Sequence, residues 1–412
     1  MMAQAVSASY DSLCENRVAG ACLLLELEVA FDRQFQDRFP GDYQDRALSI
    51  LNMVEGFYFE QLGIGLDTLS MTFLQSEVFT PSTNAIELLN DVSAKVRAGS
   101  LPFQQNRRAL FHLITGRNFD GSTAGVAYLG SVCGGAGSGT GVSKFTNTNV
   151  TTAVVVAHEL GHNLGSYHDG DDNSCGDSFI MNPYARPTAS SFSSCSESSF
   201  ITTINNRASL DQCFNFPADV SLAESESNPE ALAAAENFVA YFEVAYEQAS
   251  QSADWLEVSG EIAGEGAAFE LVSIDGAACE TDGSTYRCKD VVPGASNMAL
   301  VIQGLAGTGE ELVISQQVSL ISLNGEVLDV RPENNRLETR FTVEPATESE
   351  PDSGGEQTGD GGTIVRADPD QTGNNASVDS GGSSGGGSVG LGWLVLAAAA
   401  GALKWRQRGR MA

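Results

Sequence analysis

The spacing of apolar positions changes along the chain, and those changes divide it. Residues 22–32, CLLLELEVAFD, form a nearly unbroken apolar run that predicts a buried strand. Between 41 and 62, Leu48, Leu51, Val54 and Phe57 recur at helical intervals. Residues 65–75 alternate and read as a strand. NAIELLNDVSAKVRA, 84–98, opens on Asn84, a favoured N-cap, and predicts a helix. RALFHLITG (108–116) and GSTAGVAYLGS (121–131) read as further strands, followed by a glycine-rich loop at 134–141. Strands alternating with helices predict an α/β domain with a mostly parallel sheet.

From residue 217 to 347 short strands dominate: NFVAYFEVAYE, WLEVSGEI, AFELVSI, MALVIQGL, ELVISQQVSLISL and LETRFTVEP. Turn residues separate them at the spacing of a small antiparallel β-sandwich. Residues 348–388 are Ser, Gly, Asp, Glu and Thr with almost nothing apolar, the composition of a flexible linker. The last segment, 389–412, holds an apolar run at 389–403 and then RQRGR. The run is slightly short for a membrane span of about 20 residues, and the basic end follows the positive-inside rule. A buried core helix is the plainer reading of such a run, but after a linker it has no core to join. The expected order is thus an α/β domain (1–216), a β-sandwich (217–347), a linker (348–388) and a transmembrane-like tail.

The chain has 412 residues, 42% of them hydrophobic, enough for two cored domains. Its formal net charge of -31 repels phosphate backbones and argues against nucleic-acid partners. Eight cysteines without a CxxC pair argue against a zinc ribbon or a thioredoxin-like site, and suit disulfides in an oxidising compartment. No secretory leader is visible at the N-terminus, which is the expectation for a chain truncated there or missing an upstream leader and pro-segment.

The chemistry concentrates in TTAVVVAHELGHNLGSYHDG, 151–170. On a helix His158 and His162 leave one face a turn apart, so both rings can reach one tetrahedral metal. Glu159 then lies beside the open coordination position. Gly165 lets the chain leave the helix through a left-handed turn, and His168 returns as a third ligand. Zinc held by three neutral imidazoles acidifies water, and Glu159 is placed to take the proton as general base. Helices with ordinary core histidines rarely match such an extended pattern, which fixes six positions. The fourth histidine, His112, falls on a predicted strand and reads as packed rather than ligating.

HELGHNLGSYHD, with SFIMNP downstream, resembles the metzincins, and Asp169 after the third histidine resembles their reprolysin (adamalysin, ADAM-type) branch. AYLGSVC at 127–133, FSSCSESSF at 192–200 and DQCFNF at 211–216 are similar to it too. The resemblance covers about residues 20–216. It implies a metzincin α/β catalytic domain, zinc on His158, His162 and His168, Glu159 as catalytic base, and Met181 in a turn packed beneath the metal. It implies that GVAYLG is the edge strand that pairs with extended peptide, and that residues 182–185 line the pocket after the cut. It implies disulfides Cys133–Cys213 and Cys175–Cys195; Cys14–Cys22 is a plausible local pair, and free buried thiols are the bland reading of all of them. It also implies structural calcium, for which Glu26, Asn118 and Asn215 fall near the corresponding places, with Asn118 standing where an Asp is expected.

The β-domain, with its Cys279 and Cys288 pair, is similar to Ig-like repeats of bacterial surface proteins. The tail resembles the GlyGly-CTERM sorting tail of Gram-negative bacteria, which is cleaved to release or anchor the protein. No Cys-rich disintegrin-like segment follows the protease part, so integrin binding has no basis. The expectation is a zinc endopeptidase acting on extracellular proteins or peptides, outside the cell or at its surface, membrane-held through the tail until processing. A non-catalytic surface adhesion protein with a relic zinc site, and a zinc amidase acting on non-protein amides, are the competing classes.

Overall fold

The structure, a computed structural model, describes residues 9–294 and 297–345. The expected linker and the apolar tail at 389–403 lie outside the described residues. Among those that are described, no helix is long and apolar enough to cross a membrane.

A short helix α1 (Tyr10–Leu13) precedes strand β1 (Leu23–Phe31), after which come α2 (Arg33–Arg38), α3 (Tyr43–Leu62), β2 (Ile64–Phe73) and α4 (Ala85–Ala98). Strands β3 (Leu110–Thr115), β4 (Gly125–Ala127) and β5 (Thr140–Lys144) lead to α5 (Asn149–Asn163) and α6 (Ser194–Asn205). The strands lie side by side as β2-β1-β3-β5-β4; the first four are parallel and β4 runs antiparallel at the edge. Leu25, Leu27, Val29 and Phe31 of β1 join the core that also holds α3 and α5, while Ala30 joins a second core with α4. Both faces of the strand are therefore covered, which is why its sequence is apolar without alternation.

The buried stripe of α3 is Ala47, Ile50, Leu51, Val54, Tyr58 and Leu62. This shifts the expected face: Leu48 is exposed and Phe57 half-buried, because the helix turns its Ile50–Val54–Tyr58 ridge inward. The Tyr58 hydroxyl donates to the Ala157 carbonyl at 2.7 Å and ties α3 to α5. Asn84 caps α4 as expected, its Oδ1 accepting from the amides of Ile86 and Glu87. Strand β5 begins inside the stretch expected to be a loop. Its TGVSK sequence carries one large apolar residue, Val142, so the period-2 signal is absent. Strand β4 is three residues rather than the whole of 121–131.

The remaining strands are β6 (Phe214–Glu224), β7 (Ala231–Ala233), β8 (Asn237–Gln248), β9 (Trp255–Ala263), β10 (Ala268–Ile274), β11 (Ala277–Ala278) and β12 (Glu280–Thr281). They continue with β13 (Thr285–Val291), β14 (Met298–Leu305), β15 (Glu311–Ile321), β16 (Val327–Asp329) and β17 (Arg336–Glu344). One sheet runs β11-β10-β14-β8-β6, the other β12-β13-β9-β15-β17-β7. Their inward residues alternate along the strands, as in β8, where Phe238, Ala240, Phe242, Val244 and Tyr246 are buried.

Strand β6 belongs to both halves. Phe214 and Asn215 pair with Leu25 and Leu24 of β1, and Ala218 through Glu224 pair with β8. Its buried residues Phe214, Phe216, Ala218 and Val220 lie in one core with α3, α5 and the β-strands. The Cys133–Cys213 disulfide anchors the start of this strand, and Cys279–Cys288 closes the β12–β13 hairpin.

Glu28 of β1 is an unusual occupant of this interior. It is 1% exposed; Oε1 accepts the backbone amides of Gln105 and Asn106 at 2.7 and 2.6 Å, and Oε2 has no partner. Burial pushes its carboxyl up from 4.5 to about 7, against the opposing pull of the two amides. The unfolded chain loses this proton near 4.5 and the folded chain near 7, so in that window the unfolded state binds fewer protons. Stability therefore falls as pH rises through the window and levels off above it. Glu28→Gln keeps the Oε1 acceptor and cannot ionise. Urea midpoints of wild type and variant, measured across the window, are expected to diverge with rising pH, the variant being the more stable above about pH 7.

Candidate metal centre

Helix α5 starts at Thr148, whose hydroxyl accepts from the Thr151 amide. Its VVVA run is β-branched and intrinsically poor for a helix, but Val154, Val155, Val156 and Ala157 are all buried, and packing overrides propensity. The chain leaves the helix at Gly165 with φ +99°, where any side chain would also collide with Thr203. This is the left-handed exit expected from the sequence, and it brings His168 back over the helix.

His158, His162 and His168 converge: their ligand nitrogens lie within 4.8 Å of one another. The Nε2 atoms of His162 and His168 are 3.2 Å apart. Bonds of about 2.0–2.1 Å to a tetrahedral zinc would set neighbouring nitrogens about 3.3 Å apart, so the spacing fits that ion. Two carbonyls fix the rings. His158 Nδ1 donates to the Ile180 carbonyl at 2.8 Å, and His162 Nδ1 donates to the Ser166 carbonyl at 2.7 Å. A carbonyl only accepts, so each Nδ1 carries the hydrogen and each neutral Nε2 offers a lone pair. Burial, reinforced by the neighbouring His162, lowers His158 to about 3, and burial lowers His162 as well. His168 is steadied by Asp172, whose Oδ2 accepts its backbone amide at 3.1 Å and lies 3.7 Å from its Nδ1.

Glu159 is 4% exposed; among the described residues nothing hydrogen-bonds to its Oε2. Burial pushes its carboxyl up to about 8. A buried carboxylate oxygen with no protein partner is costly unless a ligand answers it.

Met181 is fully buried under α5, its Sδ lying 2.5 Å from where a Cβ on Gly161 would stand. Asp169 holds this turn: its amide donates to the Met181 carbonyl at 2.9 Å, and its buried carboxylate accepts from Ser193 at 2.8 Å and Asn173 at 3.0 Å. The Cys175–Cys195 disulfide closes the same loop onto α6, and Cys14–Cys22 is also formed. Of residues 182–185, Asn182 is buried and Tyr184 is 73% exposed. His112 lies apart from the triad, fully buried with Nε2 2.8 Å from Ser143 Oγ; burial lowers it to about 3 and keeps it neutral.

The three positions expected near calcium do not meet. Glu26 and Asn215 come together, at 3.2 Å, but Asn118 sits by Arg38 instead. Asn106 takes the place expected of Asn118, donating to Glu26 and to the Gln212 carbonyl, while Asn215 also donates to Asp67 at 2.8 Å. Amide groups of Asn106 and Asn215 thus face these carboxylates. Sequence reasoning missed the Ile180 and Ser166 carbonyls, which carry no side-chain signature, and Asp172, which stood unremarked in HDGDD.

Residues 25–193 match the family model of reprolysins, described as Metallo-peptidase family M12. Over 97 residues the chain is 38% identical to the zinc metalloproteinase-disintegrin-like atragin of Naja atra. That match covers 23% of this chain and 16% of the relative's length. The histidine cluster and the methionine turn fall inside the matched span, so residues 25–193 are similar to a reprolysin-type metallopeptidase domain.

Proposed function

We propose that the protein is a zinc-dependent endopeptidase that hydrolyses peptide bonds of extracellular proteins, with His158, His162 and His168 holding the metal and Glu159 acting as general base. The observation that carries the reading is the pairing of three converging imidazoles, two of them fixed as Nε2 donors, with a buried carboxylate on the same helix. Zinc bound there would supply a Lewis acid that polarises the substrate carbonyl and makes water acidic near neutral pH. Glu159 takes a proton from the attacking water onto its carboxylate and delivers it to the leaving amine.

The edge of β4 away from β5 has no strand partner among the described residues. An extended peptide can add there by main-chain pairing, which binds without strict demands on sequence. The exposed Tyr184 and the loop at 182–185 would meet the side chain after the cut. Four disulfides suit an oxidising, extracytoplasmic setting. Anchoring or release through the tail at 389–412 belongs to the same reading. The β-sandwich would act as a spacer or binding module.

Purified full-length protein is expected to cleave casein or gelatin, to lose this activity with a chelator and to regain it with zinc. Glu159→Ala should retain zinc at wild-type stoichiometry and lose turnover by about 10²–10⁴-fold. Cleavage that survives chelation, or an untouched rate in the variant, sinks the assignment; zinc binding without any cleavage would favour an adhesion protein, and cleavage of non-peptide amides alone an amidase. Separately, His168→Ala is expected to weaken zinc binding in a competition titration far more than His112→Ala does.

A further inference from the structure

Gly125 lies on the edge strand directly against Glu159. A Cβ built there would stand 2.5 Å from Glu159 Oε1, 2.7 Å from Cγ and 2.8 Å from Cδ. Real Cβ atoms do not approach so closely. The backbone of Gly125 is outside the left-handed region, so its conformation alone would accept alanine. Space, and not φ, excludes a side chain at this position.

We propose that Gly125 is a positioning residue for Glu159: the hydrogen atom in place of a side chain is what lets the carboxylate stand between α5 and the substrate-side strand. This rests on the reading of Glu159 as the base. Neither backbone can give way instead. β4 is held to β5 by pairing at Gly125–Ser143, Val126–Val142 and Ala127–Gly141, and the Lys144 amide donates to the Ala124 carbonyl at 2.8 Å. Helix α5 is pinned by the Tyr58 hydroxyl on the Ala157 carbonyl and by Met181 beneath Gly161. The group left to move is the Glu159 side chain. No hydrogen bond to its Oε2 among the described residues holds it in place, so packing against Gly125 is what limits where it points. A methyl group at 125 turns the carboxylate away, and none of the three nearest atoms it would meet belongs to a histidine.

The test uses full-length Gly125→Ala. Zinc content and KM on an internally quenched peptide are expected to match wild type, while kcat falls by about 10²-fold, the scale of an ångström-size misplacement. A second arm needs no turnover: a thermal double-mutant cycle with Glu159→Ala. Gly125→Ala is expected to lower Tm in the wild-type background and not in the Glu159→Ala background, where the collision is gone. If the single variant fails to fold, recovery of a folded protein in the double variant supports the proposal. An unchanged kcat, a raised KM with kcat intact, or an equal Tm loss in both backgrounds overturns it. Should wild type cleave nothing, the proposed function falls, and the thermal cycle still decides whether Gly125 makes room for Glu159.

Discussion

The site depends on two hydrogen bonds from imidazole to backbone carbonyl. The Ile180 carbonyl holds His158 and the Ser166 carbonyl holds His162, and each fixes which nitrogen is left to bind. The Ser166 amide donates to the Gly161 carbonyl at 3.0 Å, so the end of α5 places one of these carbonyls, while the other comes from outside the helix. Ser166 lies just beyond the Gly165 exit, and Ile180 lies in the turn that Met181 wedges beneath Gly161. That turn is in its place because Asp169 reaches both ways, through its amide to Met181 and through its carboxylate to Ser193 at the start of α6. Asp169, the acidic residue after the third histidine, therefore helps to orient the His158 ring through the turn that presents the Ile180 carbonyl.

The sharing of β6 gives the second half of the chain a part in that order. Its first residues pair with β1 and its later residues build the sandwich. Cys213, one residue before the strand, is tied to Cys133, which follows the edge strand β4. The strand and the disulfide together link the segment after the edge strand, β1 and the sandwich through one shared core. Phe214, fully buried at that junction, packs where a domain linker would ordinarily carry polar residues.

What the sequence made legible were features written in side chains at fixed spacing. The i, i+4 histidines, the Gly165 exit, the buried Met181 and the Asn84 cap are of this kind, and the helices and strands around them follow from long periodic or unbroken apolar runs. What it hid was written in backbone or in few residues. β5 has one large apolar side chain and no alternation to detect. The inward face of α3 differs from the expected one by a small rotation, because Leu48 and Ile50 are equally apolar and only packing chooses between them. The family resemblance put Asn118 near Glu26, yet it is Asn106 that stands there, in the turn whose amides bind Glu28.

Glu28 and Glu159 show how the same burial serves opposite ends. Both are almost wholly enclosed, both keep an oxygen without a partner, and in both burial raises the carboxyl. Glu28 still gives its other oxygen to two backbone amides, so it organises the 105–106 turn and its cost is offset locally. Among the described residues no hydrogen bond reaches Glu159 Oε2, and its other oxygen faces the bare backbone of Gly125. A buried carboxylate this poorly answered, with a glycine beside it, costs stability that a bound partner would offset.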